Sequence, residues 1–455
     1  MSRPLLLSLL ACLAVSATSP DASAATSRSS WVVSQVYGYN HPYAATDSAE
    51  LSTKMATMAQ SPFNFYRGTD HIFYQDMLTL PASAWVTPQT GYAWLGGDTH
   101  IGNFDASRDN GGLAVFKAAD YDEGYLGQYV WDLRRLAASM VLAGRENGIG
   151  DSDIGTAINT MVGAYVDQMG AFKGSSAELS FRLVPGNTTG AVDDTIVAAD
   201  GKSRSSLLSK YTVVNGSVRS FQNLSNLVAV SGATYGNISS AMSAYTSSIS
   251  SSKRYAASYY TIKDIHQKLG SGVGSLGKLR YYVLVQGPSS STSDDVILEM
   301  KQEGVSAVAT ADNGQLPAYA YDYNEGERVA KTGKAQLINA DVLIGNTVVA
   351  GQPYYVHEKS PYQEDFDPSL LSTAGKLNTA AAYLGQALAS AHALADQDYD
   401  VSIVSYSIDK QVSDAVTSKS GLKAEINSFA FDYAAQASLD WQAFVSAYNA
   451  GTPLY

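Results

Sequence analysis

Residues able to do chemistry concentrate between Gly96 and Arg135: Gly96-Gly97-Asp98-Thr99-His100-Ile101-Gly102-Asn103, then Asp120-Tyr121-Asp122-Glu123, then Trp131-Asp132-Leu133-Arg134-Arg135. An Asp, an Asn five residues on and a further Asp past a short strand suit phosphoryl transfer. The first Asp accepts a hydroxyl proton, while the Asn and the later Asp hold Mg²⁺ against nucleotide phosphates. Mg²⁺ favours compact oxygen ligands, few of them from protein. Asp98 is therefore expected as the base, with Asn103, Asp120 and Asp122 as metal ligands. The plain alternatives are an Asp98 that caps a turn after two glycines, and Asp122 and Glu123 as solvated loop charges.

A second constellation lies far downstream. Gly270, Gly272, Gly274, Ser275 and Gly277 form a glycine-rich turn between two strands, where backbone N–H groups can approach phosphate without interference from Cβ atoms. Lys301 lies on the next strand, in an apolar alternation that points it inward and suits the α- and β-phosphates of a nucleotide. Glu327 on the following helix is expected to pair with it, with Glu325 as a comparable candidate. The alternative for Lys301 is a surface strand residue. Arg67 either contacts a phosphate through its fork of donors or pairs with a core carboxylate. His100 is read as a structural histidine, His392 as a core residue on an Ala-rich helix face, and Arg134 and Arg135 as salt-bridge partners on a helix face.

Short elements must position these groups. Tyr92–Leu95 reads as a strand ending at the Gly96-Gly97-Asp98 turn, and Leu113–Ala118 as a strand delivering Asp120. From Asp132, placed to cap a helix, apolar residues follow the i, i+3, i+4, i+7 rhythm of a helix with one buried face. Asp151–Phe172, Glu325–Asp341, Lys376–Leu394 and Phe429–Tyr448 read as further helices. Asn215-Gly216 marks a hairpin turn, and the Ser-rich stretch 239–252 keeps helical spacing and reads as a surface helix.

The bulk of the chain narrows the options. Arg3, the apolar run Leu5–Ala17 and Ala22-Ser23-Ala24 read as a signal peptide over residues 1–24, so export to the periplasm or beyond is expected. The run is too short to span a bilayer, and no later segment reads as an integral membrane span. Arg3 and Asp21 cancel, so the mature chain keeps the formal net charge of −12, which disfavours nucleic acid as a partner. Cys12, the single cysteine, leaves with the signal, which removes disulfides, thiolate nucleophiles and zinc-thiolate sites from consideration.

The two constellations are the halves of a kinase-type site in reversed order, which a circular permutation reconciles. The fold expected is α+β and two-lobed: a helical large lobe with the catalytic loop (25–260), a small antiparallel-sheet lobe with the glycine turn and Lys301 (261–360), and a helical return to the large lobe (361–455).

FYRG (65–68), GDTHIGNF (97–104), DYDE (120–123), WDLRRLAAS (131–139), GSGVGSLG (270–277), EMKQEGVSA (299–307) and ALASAHALA (387–395) resemble, in that order, the bacterial domain of unknown function 2252 family. The GDTHIGN run is also similar to the catalytic loop of aminoglycoside and choline kinases. That resemblance implies Asp98 as base and Asn103 and Asp120 on the metal, with His100 shaping the loop. It departs in Gly96, where those enzymes commonly carry a histidine, in the permuted order and in the export signal.

Three function classes compete. The leading expectation is Mg²⁺-dependent phosphoryl transfer, from ATP or another nucleotide, to a hydroxyl of a small molecule or protein. A non-catalytic exported binding protein with a degenerate kinase-like fold is the alternative, since ATP is scarce outside the cytoplasm. Metal-dependent phosphoester hydrolysis is the third, but it needs two metals and several histidine ligands, and the six histidines are scattered.

Overall fold

The structure is a computed structural model and describes residues 22–270, 272–311 and 315–455, with side chains from residue 27 onward. The expected signal segment therefore falls almost wholly outside the described residues. The fold is mixed α/β, with all strand pairs antiparallel. The strands are β1 (Ala93–Leu95), β2 (Phe104–Arg108), β3 (Ala114–Ala118), β4 (Tyr125–Gly127), β5 (Thr212–Asn215), β6 (Val218–Phe221), β7 (Leu227–Ala229), β8 (Ile262–Lys268), β9 (Arg280–Val285), β10 (Val296–Gln302), β11 (Gly345–Val349), β12 (Gln352–Glu358) and β13 (Gln363–Asp365). No helix among the described residues is long and apolar enough to cross a membrane.

The largest core is helical. Helices Tyr129–Glu146, Asp151–Phe172, Ala374–Leu394 and Lys419–Asn449 bury Leu133, Ile158, Leu384, Ile426 and their neighbours, together with β1, β3 and β4. Helix 374–394 lies so close against helix 151–172 that a Cβ on Gly385 would stand 2.2 Å from the Met161 carbonyl oxygen. This helix carries His392 to the Gly96–Asp98 turn.

The six-stranded sheet runs β11-β12-β10-β9-β8-β7. Its strands alternate between two covers, as period-2 geometry requires. Val283, Val285, Leu298 and Met300 face a cluster with Ile238, Met242 and Tyr245 of helix Gly232–Ser248. Leu284 and Ile297 face Leu208, Tyr211 and Phe221. The sheet thus draws on residues before 261: the Ser-rich helix covers it with its apolar stripe, and β7 extends its edge. Along β10 the face that starts with Ile297 continues through Glu299 to Lys301, so alternation alone carries the lysine from core to cleft.

A smaller sheet, β13-β2-β3, forms the opposite wall, with Phe104 pairing Ala118 and Asp105 pairing Asp365. The Asn215-Gly216 hairpin forms as β5–β6, with Asn215 opposite Val218.

Candidate active site

The Gly96–Asp98 turn is held from below by a buried polar chain. Asp132 does not cap its helix. It lies in the first turn of helix 129–146, and its carboxylate accepts from the Gly96 and Gly97 amides at 2.8 and 3.1 Å. His392 Nε2 donates to the same carboxylate at 3.1 Å, and its Nδ1 lies 2.9 Å from the Tyr165 hydroxyl. His392 is thus buried as expected, but as a hydrogen-bonding post under the loop. Gly97 has φ +85, and a Cβ there would stand 2.2 Å from the Glu123 carbonyl oxygen, so only glycine fits.

The loop then closes on itself. The Asp98 carbonyl accepts from the His100 amide and from Asn103 Nδ2, both at 2.8 Å. That bond uses the amide nitrogen of Asn103 and leaves its oxygen as the end available to a cation. The Ala119 amide donates to the Asn103 carbonyl at 3.0 Å, which ties the end of β3 to the loop and brings Asp120 beside it.

Charge is densely placed around this loop. Asp98 Oδ1 accepts from Arg135 Nε at 2.6 Å and lies 2.5 Å from Nη2, which leaves Oδ2 free of Arg135. Arg135 is fully buried between Tyr66 and Phe73, its guanidinium carbon 4.3 and 5.2 Å from their ring centroids. Burial pushes the Asp98 carboxyl above the usual carboxylate range against the pull of Arg135. Asp120 adopts φ +63, a conformation that non-glycine residues seldom hold.

Lys301 donates from Nζ to Asp120 at 3.2 Å and to Asp122 at 2.6 Å, bringing the two halves of the sequence into one cluster. Burial works to raise Asp122, but Lys301 and Lys278 overcome it and hold the carboxyl well below its ordinary range. Burial and the charge of Asp122 raise Asp120.

The glycine-rich turn divides into two roles. Gly272 and Ser275 border the large cleft, Gly274 borders only a smaller chamber beside it, and Ser275 Oγ donates to Asp122 at 3.3 Å. A Cβ on Gly274 would stand 4.0 Å from Asp98 Oδ2. Gly270 and Gly277 instead shape the turn, with φ +68 and +99. The Gly270 amide is bonded to Glu50 at 2.8 Å and is not open to phosphate.

The expectation for Glu327 is corrected. It pairs with Lys331 one turn on at 3.1 Å, and Glu325 pairs with Arg328, so neither reaches Lys301. The i, i+4 and i, i+3 spacings on one helix satisfy both glutamates locally, and Lys301 takes its carboxylates from the 120–122 loop.

The roles of Arg135, Glu303 and Arg328 escape sequence reasoning, whereas Glu123, by sequence either a solvated loop charge or a partner behind the metal, is buried. Arg135 lies one helical turn past Asp132, and only the aromatic box around it turns it toward Asp98. Glu303, on the strand face of Lys301, is buried with both carboxylate oxygens unpartnered, and burial and Asp122 push it well up. Glu123, held by the Ala307 amide at 2.6 Å, is pushed up to about 7 by burial and by Asp70. Arg328 ties the 120–124 loop to β10's exit by donating to the Asp122, Gly124 and Gly304 carbonyls at 2.8, 2.7 and 3.0 Å.

A cleft of about 780 Å³ opens in front of these groups, lined by Phe116, Tyr121, Arg280, Lys301, Tyr355 and His357 among others. Its size suits a nucleotide-sized ligand. Behind Asp98 a second, closed chamber of about 40 Å³ reaches Asp70, Glu123 and Lys278, room for one or two waters.

Among the described residues no three His, Cys, Asp or Glu side chains converge as a ready-made metal cage. The donor set fits a cation of another kind. Asn103 offers an amide oxygen and Asp120 a carboxylate that is 38 % exposed at the cleft, the sparse oxygen set Mg²⁺ uses when water and phosphate complete its shell. The arrangement can therefore align a hydroxyl at Asp98 Oδ2 and neutralise a polyphosphate on the Lys301 side.

No curated protein and no solved structure matches the sequence. A match to one protein family covers residues 46–447, which takes in both halves of the site. The chain therefore belongs to the family described as an uncharacterized protein conserved in bacteria (DUF2252).

Proposed function

We infer that the protein is an exported phosphotransferase with a two-lobed, circularly permuted kinase-like fold, which moves a phosphoryl group from a nucleotide to a hydroxyl. One observation carries the reading: the Lys301 amine, on the sheet beside the glycine turn, reaches Asp120 and Asp122 across about 180 residues of chain, with Asp98 beneath the same turn. Lysine, glycine turn, Asp and Asn-plus-Asp are the parts from which phosphoryl transfer is built.

In this reading Asp98 Oδ2 takes the hydroxyl proton, and Arg135, bonded to Oδ1, fixes the carboxylate's orientation. Lys301 leaves its carboxylates for the phosphates when nucleotide enters, and the Gly272–Gly274 amides cover them. Asn103 and Asp120 would hold Mg²⁺, which supplies charge neutralisation between phosphate oxygens. Alignment and charge stabilisation do the remaining work.

A non-catalytic nucleotide-binding role is the second reading. It is favoured by the ion pairs that occupy Asp98, Asp120 and Asp122 together and by the turn that lies over Asp98. The test is a thermal-shift titration of residues 25–455 with MgATP, MgGTP and Mg²⁺ alone, followed by turnover assays. Nucleotide with Mg²⁺ is expected to raise Tm, and Asp120→Asn to abolish the rise. Asp98→Asn is expected to keep the shift while reducing turnover by about 10²- to 10⁴-fold. Normal turnover in Asp98→Asn would exclude it as base, and binding without turnover in the wild type would leave the second reading.

A further inference from the structure

Arg67 is the cation at this site that the phosphotransferase reading leaves without a task. Lys301 is paired with Asp120 and Asp122, Arg135 with Asp98, Arg280 with Glu299, and Arg328 with Glu325. Lys278 faces Glu123 at 4.0 Å, and Lys54 donates to the Gly274 carbonyl at 3.1 Å. Arg67 lies within ion-pair distance of no carboxylate among the described residues, and its Nε is buried without a hydrogen-bond partner. Its guanidinium carbon lies 5.7 Å from the Phe63 ring centroid, a contact that uses the face of the group and none of its donors. A buried charged donor left unpaired is destabilising, so its retention in a pocket wall points to a ligand.

Its position selects which ligand. Arg67 borders both the large cleft and the closed chamber, next to His100 and Asn103. Arg67 and His100 both pack against Phe63, at 5.7 and 5.9 Å from its ring centroid. His100 Nδ1 accepts from the Gly102 amide at 3.0 Å, so the ring stays neutral and competes for no anion. Arg67 therefore stands on the Asp98–His100 side of the site, where the hydroxyl acceptor enters in the phosphotransferase reading.

We propose that Arg67 recognises an oxyanion on the acceptor, so that the phosphorylated compound is a hydroxyl-bearing molecule with a phosphate or carboxylate of its own. The two Nη groups of the guanidinium, which no hydrogen bond among the described residues occupies, match two oxygens of such a group in a fork. This assignment rests on the phosphotransferase reading for the word acceptor, whereas the oxyanion site itself does not depend on it.

The test uses residues 25–455 with inorganic phosphate and D-tartrate as probe anions, titrated by calorimetry with and without saturating MgADP. Wild type is expected to bind at least one probe, equally well when MgADP occupies the donor side. Arg67→Gln is expected to weaken that binding at least tenfold, and Arg67→Lys, which keeps the charge over Phe63, to lose less. Both variants should keep the nucleotide-induced rise in Tm. Undiminished anion binding in Arg67→Gln, or no anion binding by the wild type, overturns the proposal. Loss of the nucleotide shift in Arg67→Gln, with Arg67→Lys folded, would assign Arg67 to the donor's phosphate and overturn the acceptor assignment. Anion binding through Arg67 without any nucleotide shift would remove the phosphotransferase reading and leave the oxyanion site standing.

Discussion

At the scale of single residues the site is defined by which carboxylates keep a charge. Asp122 is paired and ionised, whereas Glu123 and Glu303 are buried where charge is disfavoured. Glu123 binds its proton up to about pH 7 in the folded chain, against an ordinary value of 4.5. Its folded pKa is raised, so the stabilisation it contributes is present below pH 4.5 and is lost as pH rises to about 7. Urea melts across this window should show Glu123→Gln with a flatter pH profile than wild type, by up to roughly 1.4 kcal/mol per pH unit. An unchanged slope would mean that Glu123 ionises normally. Asp98, Asn103, Asp120 and Lys301 could be singled out by type and spacing, because the sequence sets them between glycines and short apolar runs. Arg135 was not legible, because nothing in WDLRR says which of two adjacent arginines turns inward.

At the scale of elements the Gly96–Asp98 turn depends on two helices that brace it from behind. Helix 129–146 supplies Asp132 to the Gly96 and Gly97 amides, and helix 374–394 supplies His392 behind it. His392→Ala removes a buried hydrogen-bond donor from Asp132 and should destabilise the fold by about 1–3 kcal/mol in chemical denaturation. Gly385→Ala places a Cβ 2.2 Å from the Met161 carbonyl, forces helices 151–172 and 374–394 apart, and should cost about 1–3 kcal/mol. A double variant that loses much less than the sum would show both acting through one helix displacement. The helices were readable from apolar periodicity, and the strands from alternation. Glu327 was misassigned because helical spacing offered it Lys331, a partner on its own face that strand-based reasoning about Lys301 overlooked.

At the scale of the whole molecule Arg28 ties the first described helix to the last. Arg28 makes a fork to Asp76 at 2.6 and 2.8 Å and a second to Asp440 at 3.0 and 2.6 Å, joining helix 22–40 to helices Asp70–Met77 and Lys419–Asn449. Both carboxylates are buried. Arg28→Ala leaves two buried charges without their cation and should lower stability by about 3–5 kcal/mol in a urea melt. A loss under about 1 kcal/mol would mean that water already serves those carboxylates. Arg28 lies four residues past the expected cleavage after Ala24, so a chain shortened beyond it should lose the same stability.

The amino-acid sequence alone determined the local matters: which stretches are helical or extended, which residues carry chemistry, and that the two motif clusters match one family in a fixed order. These follow from periodicity and composition, which act over a few residues at a time. Only the tertiary structure decided that Lys301 takes Asp120 and Asp122 and not Glu327, and that Asp132 and His392 brace a turn. It also decided that Arg135 faces Asp98 while Arg67 stays without a carboxylate. Those outcomes depend on which buried cation lies within ion-pair distance of which carboxylate, and packing across about 180 to 260 residues of chain sets that distance.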